Sequence, residues 1–332
     1  MPRFSIIIPL YNRPQEIDEL LASLDRQSFK DFEVLVIEDG SIDRADHICE
    51  KHRETLDIKY YYKDNEGPGP SRNYGCMKAT SDFFLFFDSD CIIPDDYLAN
   101  LETNCRGNTF DAFGGPDAAD PSFNSVQKAI NHSMTSIFTT GGIRGNKTSA
   151  EKFHPRSFNM GISRKVFEAT GGFAPIRFGE DIDFSIRVIE AGFTSILIPE
   201  CFVYHKRRTS FRQFYKQVFN SGIARVNLFR RHPKSLKLVH FFPAAFSILF
   251  PLSLLYAIIF RSIIPVFPFL LYFLAIFLEA LIKNKSIWIG LLAIRASVTQ
   301  LFGYGLGFLK GYWRRVILKK EEFHAFKENF YK

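Results

Sequence analysis

The sequence predicts an α/β fold with a mostly parallel β-sheet, followed by a C-terminal α-helical membrane region. Two observations carry this prediction. Over the first 110 residues, short apolar strand patterns alternate with amphipathic helix patterns, and repeated units of this kind build a parallel sheet that helices cover on both faces. Residues 241 to 309 are far richer in apolar residues than any earlier part of the chain.

Composition and charge agree with this division. The chain has 332 residues, of which 46% are hydrophobic, and a net charge of +7. The excess of Lys and Arg lies at 206 to 237 and 310 to 332, beside the apolar region, which favours anionic lipid over nucleic acid as a partner. The five cysteines have no CxxC spacing. Neither a disulfide framework nor a zinc site is therefore predicted, and a reducing compartment fits.

The predicted elements of the first 110 residues follow one another as strand and helix. The N-terminal apolar stretch is too short for a signal peptide and is predicted to be the first strand. The strands are predicted at 4 to 9, 32 to 37, 58 to 62 and 83 to 87. A helix is predicted at about 17 to 24, a second one from after EDGS to about 53, and a third from the end of NEGPGPSRNYG to about 79. Ligands of such sheets bind beyond the carboxyl ends of the strands. The polar groups PLYN, EDGS, NEGPGPSRN and DSD, which follow these ends, are expected to converge on one crevice.

Each polar group also has an ordinary structural explanation. Tyr11 and Asn12 fit a turn, and Asp39 fits a cap before the next helix. The glycine-rich stretch fits a plain loop, but its glycines together with Arg72 also suit a backbone that approaches a phosphate or a base. The coincidence of four such groups at successive strand ends favours the binding interpretation.

Asp88 and Asp90 follow the most apolar of these strands, FFLFF. They could be a helix cap and a turn residue. Alternatively, two carboxylates one residue apart at the end of a buried strand can hold a divalent cation that also binds a diphosphate. Mg²⁺ or Mn²⁺ needs little more than one or two carboxylates and the phosphates of a substrate.

The ordered set PLYN, IEDGS, NEGPGPSRNYG, DSD and FGEDIDFSIR resembles the family 2 glycosyltransferases, over roughly residues 1 to 230. The resemblance implies a Rossmann-like, A-type nucleotide-binding fold, a nucleotide-sugar donor with UDP favoured, Mg²⁺ or Mn²⁺ at the DxD motif, and inversion by one direct displacement. It also implies a donor-binding set and a metal-binding set. These are Pro9, Tyr11, Asp39, Asn65, Gly67, Arg72 and Asp88 for the donor, and Asp88, Asp90 and His205 for the metal. Glu38 departs from the family pattern, in which Asp is common, and leaves the ribose contact open.

An inverting transfer needs a carboxylate that takes the proton of the acceptor hydroxyl. Glu180 and Asp181 open a predicted helix, where the helix dipole alone would favour acids. By the resemblance, Asp181 is the base and Glu180 orients the acceptor or the base. Asp183 and Arg187 are predicted to form an ordinary i,i+4 ion pair.

Three further residues have open roles. His205 follows a strand-like run and is either a structural histidine or the third metal ligand. Asn159 resembles the acceptor-side Asn of the family. Arg144 either contacts an acceptor phosphate or belongs to a surface loop.

The C-terminal third has the pattern of a membrane attachment. Residues 209 to 238 are predicted to form a basic amphipathic helix at the membrane surface, and the apolar segments that follow weaken the alternative of an ordinary docking helix. Segments 241 to 260 and 262 to 282 are each long enough to span, and a third, 286 to 309, carries Arg295 and Gln300. The predicted division is 1 to 208 catalytic, 209 to 238 interfacial, 239 to 310 membrane and 311 to 332 a basic tail.

The basic tail predicts, by the positive-inside rule, that the C-terminus and a cytosolic catalytic domain share one side of the plasma membrane. Two chain ends on the same side require an even number of membrane crossings. This favours two spans with a re-entrant or interfacial third segment over three full spans.

The predicted function is metal-dependent transfer of a sugar to a lipid-linked or saccharide acceptor, in bacterial-type synthesis of cell-surface polysaccharide. Gln217 is followed by no RW pair, so the QxxRW signature of long processive synthases is missing and addition of single sugars is favoured. The alternatives are transfer to polyprenyl phosphate itself and an inactive scaffold that binds nucleotide-sugar. The DSD and GED motifs argue against the inactive scaffold.

Overall fold

A computed structural model describes residues 1–120, 122–140 and 153–325 of the chain. The chain divides into two compact units. The first comprises Met1–Asp120 and Lys147–Lys206, and the second comprises Pro121–Asn146 and Arg207–Lys332.

The first unit is built on two β-sheets. Its strands are β1 (Phe4–Leu10), β2 (Phe32–Asp39), β3 (Ile58–Lys63), β4 (Phe83–Phe87), β5 (Cys91–Ile92), β6 (Ala112–Gly114), β7 (Asp117–Ala118), β8 (Asn159–Ser163), β9 (Ser195–Leu197) and β10 (Val203–His205). The larger sheet has the order β3-β2-β1-β4-β8-β6-β9, and the smaller one has the order β5-β10-β7. In the larger sheet only β8 runs antiparallel to its neighbours. The predicted α/β fold with a mostly parallel sheet is confirmed.

Helices cover the larger sheet and make up most of the second unit. The helices of the first unit are α1 (Pro14–Asp25), α2 (Asp46–His52), α3 (Pro68–Lys78), α4 (Tyr97–Gly107), α7 (Arg164–Thr170) and α8 (Glu180–Glu190). Those of the second unit are α5 (Ser125–Thr135), α6 (Ile137–Thr140), α9 (Phe211–Arg231), α10 (Phe242–Phe260), α11 (Phe267–Asn284) and α12 (Ile287–Tyr312).

The unbroken apolar run of β4 is explained by burial on both faces of the sheet. Phe83, Leu85 and Phe87 pack into the core that includes α1 and α4. Phe84 and Phe86 point the other way, into the core that includes α7 and α8. Successive side chains of a strand alternate between faces, so a strand covered on both faces is expected to be a nearly continuous apolar run. The strand that precedes DSD is therefore buried along its whole length.

Helix α3 begins earlier than the sequence predicts. The prediction treats NEGPGPSRNYG as a loop that precedes the helix, whereas the helix starts at Pro68 and includes Arg72. Proline is well tolerated in the first turn of a helix because the backbone N–H groups of that turn have no intrahelical acceptor. The missing N–H of proline therefore costs no hydrogen bond there. Only residues 64 to 67 form the loop, and Arg72 sits on a helix.

Three helices of the second unit are long and apolar enough to cross a membrane. They cover Leu238–Phe260, Ile264–Asn284 and Ile287–Ile317, close to the three predicted segments. The basic helix α9 ends at Arg231. Its apolar residues are buried in the second unit, with Phe214 and Val218 packed beside Ala296 of α12. Helix α12 covers this part of the apolar face of α9.

Candidate active site

The turn after β1 is tied to the turn after β2. Asn12 adopts a left-handed conformation with φ of 50°, which asparagine tolerates better than most residues. Its backbone N–H donates to Ser41 Oγ at 2.8 Å, and its Oδ1 accepts from the backbone N–H of Ile42 at 2.8 Å. Pro9 and the half-buried Tyr11 lie at the end of the same strand. Asn12 therefore ties the turn that carries Tyr11, which is predicted to stack on a base, to the turn after β2.

Glu38 and Asp39 are neighbours that serve opposite faces of β2. The Glu38 carboxylate accepts from the Ala45 backbone N–H at 2.9 Å and from the Tyr60 hydroxyl at 2.7 Å. It therefore anchors the start of α2. Asp39 lies on the other face, where it accepts from Lys63 Nζ at 2.9 Å and from the Gly67 backbone N–H at 2.7 Å. Because of this alternation, Asp39 faces the loop before α3 and Glu38 faces the start of α2.

The loop before α3 is drawn against the end of β2. Asn65 Nδ2 donates to the Asp39 carbonyl at 2.7 Å. Gly40 has φ of 74°, and a Cβ at that position would lie 2.8 Å from the Asn65 backbone nitrogen. Gly67, with φ of 100°, directs its N–H to the Asp39 carboxylate. The predicted donor-binding residues Asp39, Asn65 and Gly67 thus form one hydrogen-bonded group.

Arg72 joins the two acidic motifs. Its Nη2 lies 2.6 Å from Asp88 Oδ1, and its Nη1 lies 3.3 Å from Glu180 Oε1. Arg72 is 2% exposed, and its guanidinium lies over the ring of Phe173 at 5.3 Å. Burial lowers the pKa of Arg72, but the charges of Asp88 and Glu180 more than offset this and raise it. Arg72 is therefore a permanently charged link between the DxD motif and the Glu-Asp pair.

Asp90 lies between a histidine and an arginine. His205 is opposite Cys91 in the antiparallel pairing of β10 with β5, which places its Nε2 3.2 Å from Asp90 Oδ1. Arg13 Nη1 contacts Asp90 Oδ2 at 2.6 Å. Burial raises the pKa of Asp90, but His205 and Arg13 outweigh burial and hold it well below its usual range. Asp90 is therefore a carboxylate at neutral pH.

The donor atoms around Asp90 fit a divalent cation. Ligand atoms of Asp90, Cys91 and His205 lie within 4.8 Å of one another, and the Nδ1 atom of His205 is buried without a hydrogen-bond partner. Burial raises the pKa of the Cys91 thiol well above its usual value, so a thiolate ligand is disfavoured. The remaining carboxylate and imidazole suit Mn²⁺. Asp88, which is also predicted as a metal ligand, has its Oδ1 atom 2.6 Å from Arg72 Nη2.

Glu180 and Asp181 differ in their surroundings although they are adjacent. Both lie in the first turn of α8, after Gly179 with φ of 81°. Burial raises the pKa of Asp181, but the Arg156 guanidinium, with Nε 2.5 Å from Asp181 Oδ2, outweighs burial and lowers it. Burial and then the charge of Asp181 raise the pKa of Glu180 to about 7. Asp181 is thus kept ionised, while Glu180 titrates near neutrality.

Three further sequence predictions have different outcomes. The ion pair between Asp183 and Arg187 is confirmed, with Nε 2.9 Å from Oδ2. Asn159 is fully buried, accepts from the Tyr97 hydroxyl at 2.5 Å and donates to the Cys201 carbonyl at 2.8 Å. The acceptor-side interpretation of Asn159 is corrected on this basis, because its amide is used in the core. Arg144 lies outside the described residues.

Arg13 and Arg156 are site residues that the motifs do not reveal. Arg13 directly follows Tyr11 and Asn12, and Arg156 lies three residues before Asn159. An arginine next to a motif is common on any protein surface. Only the long-range contacts with Asp90 and Asp181 separate these two arginines from surface arginines.

Comparison with known proteins identifies a family for this chain. Residues 5–171 match the family model described as Glycosyl transferase family 2. The chain is 42% identical over 107 residues to the poly(ribitol-phosphate) beta-N-acetylglucosaminyltransferase TarS of Staphylococcus aureus, a match that covers 31% of the chain and 18% of TarS. It is 30% identical over 117 residues to the GalNAc(5)-diNAcBac-PP-undecaprenol beta-1,3-glucosyltransferase of Campylobacter jejuni, which covers 34% of the chain and 38% of that protein.

Among solved structures, the fold is similar to that of the mannosyltransferase PcManGT from Pyrobaculum calidifontis in complex with GDP-Man and Mn²⁺. The TM-score is 0.61 at 18% sequence identity, over 91% of this chain and 87% of that one. This likeness concerns the fold. The first curated relatives are matched over only 16% and 18% of their own length.

Proposed function

The chain belongs to glycosyl transferase family 2, and from that premise we propose that it is a membrane-attached, metal-dependent and inverting glycosyltransferase. The observation that carries the proposal is the bridge that buried Arg72 makes between Asp88 and Glu180. It brings the DxD motif and the Glu-Asp pair into one charged cluster. A transfer reaction needs this arrangement, because the leaving diphosphate and the attacking hydroxyl flank the same sugar carbon.

The donor is proposed to bind along the edge formed by the ends of β1 and β2. Tyr11 would stack on the base, and Asp39 and Arg72 would contact it. The Asp39 Oδ2 atom accepts from the Gly67 N–H, and a carboxylate oxygen can accept a further hydrogen bond. Pro9, Asn65 and Gly67 complete this edge. UDP is the favoured nucleotide, and a GDP-sugar is the alternative to test beside it, because PcManGT holds GDP-Man.

Asp90 and His205 would hold Mn²⁺ or Mg²⁺, with Asp88 joining them if it is released from Arg72. A divalent cation supplies positive charge against the diphosphate as the bond between sugar and phosphate breaks. Arg13 lies on the Oδ2 side of Asp90 and leaves the Oδ1 side to His205. The arginine therefore orients the carboxylate.

Asp181 is proposed as the general base. The acceptor hydroxyl oxygen forms a bond to the anomeric carbon while the bond from that carbon to the diphosphate oxygen breaks. The nucleoside diphosphate leaves with the bonding electron pair, and Asp181 takes the hydroxyl proton. One displacement of this kind inverts the configuration. Arg156 keeps Asp181 ionised, and Glu180 orients the acceptor.

The proposed acceptor is a lipid-linked glycan at the cytosolic face of the plasma membrane. Three helices that are long and apolar enough to cross a membrane support attachment there. The Campylobacter jejuni relative bears the name of an enzyme that acts on an undecaprenol-linked glycan. Polyprenyl phosphate itself is the second candidate acceptor. The basic tail supports the proposed position of the C-terminus on the cytosolic side.

The test is release of nucleoside diphosphate from UDP-sugars and GDP-sugars, with and without Mn²⁺, using membrane lipid extract as acceptor. We expect release that depends on metal and lipid, together with a lipid product of inverted anomeric configuration. Asp181→Asn should abolish transfer and leave donor binding nearly intact. Asp183→Asn, in the same helix, is the matched control for fold. Retained turnover in Asp181→Asn would refute the assignment of Asp181 as the base. If no donor releases nucleoside diphosphate, the inactive scaffold is favoured.

A further inference from the structure

Helix α6 lies against α11, one of the three helices that are long and apolar enough to cross a membrane. The Tyr272 hydroxyl of α11 donates to the Phe138 carbonyl at 2.8 Å. Glu279, also on α11, accepts from the Ser136 hydroxyl at 2.5 Å. Tyr272 and Glu279 are seven residues apart, which is close to two helical turns, so they lie on one face of α11. Residues 136–140, the α6 turn, are therefore fixed along a segment with the length and composition of a span.

Two large apolar side chains of the α6 turn are uncovered. Ile137 is 65% exposed and Phe138 is 43% exposed. Leu271 and Leu278, which come one position before the two α11 residues that contact the turn, are exposed as well. Because one position rotates a helix by about 100°, both leucines lie on the face of α11 that adjoins the turn. An isolated exposed apolar residue needs no explanation, but here a pair adjoins the uncovered apolar face of a helix long enough to cross a membrane.

Both threonines of the α6 turn and the backbone around Phe138 are hydrogen-bonded within the protein. The backbone N–H of Thr140 and its hydroxyl both donate to the Ser136 carbonyl at 3.0 Å. The Phe138 N–H donates to the Ser136 hydroxyl at 3.2 Å, and the Thr139 hydroxyl donates to the Ser133 carbonyl. Hydrocarbon holds no water for unpaired polar groups, so irregular backbone is tolerated there only where the protein pairs it. These groups need no water as a partner, which suits a turn in contact with lipid.

Glu279 anchors the turn to α11. A carboxylate within an apolar span is costly unless it is paired, and Glu279 pairs with Lys283 Nζ at 2.6 Å besides accepting from Ser136. Helix α5, which leads into the turn, contributes Met134 to a buried apolar cluster that also contains Leu292 of α12. The turn is therefore held to α11 by polar contacts and, through α5, to α12 by apolar contacts.

We propose that the α6 turn inserts Ile137 and Phe138 into the acyl region of a bilayer beside α11, as a membrane contact apart from the three helices long enough to cross. The partner of this surface is lipid. The inference rests on the membrane attachment that is part of the proposed function. The sequence does not indicate the contact, because the turn is far shorter than the roughly 19 residues over which hydropathy identifies a span.

Tryptophan fluorescence tests the contact, because the chain has only two tryptophans, Trp288 and Trp313. With both replaced by Phe, Phe138→Trp places a single probe in the α6 turn, and Ile137→Trp places a second, independent one. Leu274→Trp, at an exposed position of α11, is the matched control for membrane attachment. Each variant, as the full chain, is reconstituted into vesicles of phosphatidylethanolamine and phosphatidylglycerol with or without brominated acyl chains, and is also titrated with aqueous iodide.

We expect brominated lipid to quench both α6 probes to an extent similar to Leu274→Trp, and iodide to quench none of the three. Quenching of the α6 probes by iodide and not by lipid would place the turn in water, and quenching by neither would place it against protein, such as a second copy of the chain. Either result, with Leu274→Trp quenched by lipid, would overturn the inference and leave membrane attachment intact. If lipid does not quench Leu274→Trp, attachment and the inference fail together. The readout does not depend on sugar transfer, so failure of the catalytic proposal is seen separately.

Discussion

Replacing Glu180 with Gln should stabilise the protein at neutral and alkaline pH. Glu180 is 8% exposed and shares the first turn of α8 with the ionised Asp181. Burial, and then the Asp181 charge, raise its pKa from 4.5 to about 7. Ionising Glu180 is therefore unfavourable in the folded protein. Glutamine has nearly the same shape and carries no charge, so it removes this cost.

The size and sign of the effect follow from the shift. A folded-state pKa above the unfolded value means that the folded protein binds a proton more tightly, so stability is fully present below pH 4.5 and falls as pH rises through 7. A shift from 4.5 to about 7 corresponds to roughly 3 kcal/mol at 1.36 kcal/mol per unit. We expect Glu180→Gln and the unsubstituted protein to be equally stable at pH 4.5 and to differ by about that amount at pH 8.

Thermal unfolding followed by circular dichroism between pH 4.5 and 8, in detergent, measures the difference. Glu190→Gln, which removes a carboxylate from the other end of α8, is the control for the loss of one acidic residue from this helix. A Glu180→Gln variant that keeps the full pH dependence of the unsubstituted protein would refute the reasoning. So would a variant that is less stable than the unsubstituted protein at pH 8.

Asp90→Asn and His205→Ala should each weaken Mn²⁺ binding at least tenfold, by electron paramagnetic resonance, because each removes one of two converging donor atoms; unchanged affinity in both would place the metal elsewhere. Burial raises the pKa of Glu33, but hydrogen bonds from Lys59, Ser5 and Thr80 outweigh it and lower it to about 2. Glu33→Gln should therefore cost about 3 kcal/mol of unfolding free energy at pH 7. That loss should shrink as pH falls toward 2, and a loss that is constant with pH would contradict it. Gly307→Leu should separate α9 from α12, because its Cβ would meet the Phe219 backbone, and should destabilise by about 1 to 3 kcal/mol. Leu306→Ala, on the exposed side, should change stability little in the same thermal assay.

The sheet could be predicted from the sequence because its strands are short apolar runs, a pattern that few other structures share. FFLFF cannot be an amphipathic element, and burial on both faces of a sheet accounts for all five of its residues. The start of α3 was missed because glycine and proline indicate a loop in isolation. Here Pro68 occupies the first turn of a helix, and the packing of the rest of α3 against the sheet decides its state.

The site was predicted as separate motifs, and its pairings were not predictable. The spacing of Asp88 and Asp90 indicates a metal site, yet in the structure they turn to different arginines, Arg72 and Arg13. Glu180 and Asp181 are adjacent acidic residues, and their different pKa values cannot be predicted from the sequence. Their pKa values move in opposite directions because Arg156 contacts only Asp181.

The sequence by itself determined the fold class, the family resemblance and the three apolar segments, because periodicity and local motifs are properties of short stretches of chain. The tertiary structure decided which arginine neutralises which carboxylate, that Glu38 supports α2 while Asp39 accepts a hydrogen bond from the loop before α3, and that α12 packs against α9. These features depend on contacts between residues that are distant in the chain. The free energy of a buried charge, or of a helix against its neighbour, depends on surroundings that only the folded chain assembles.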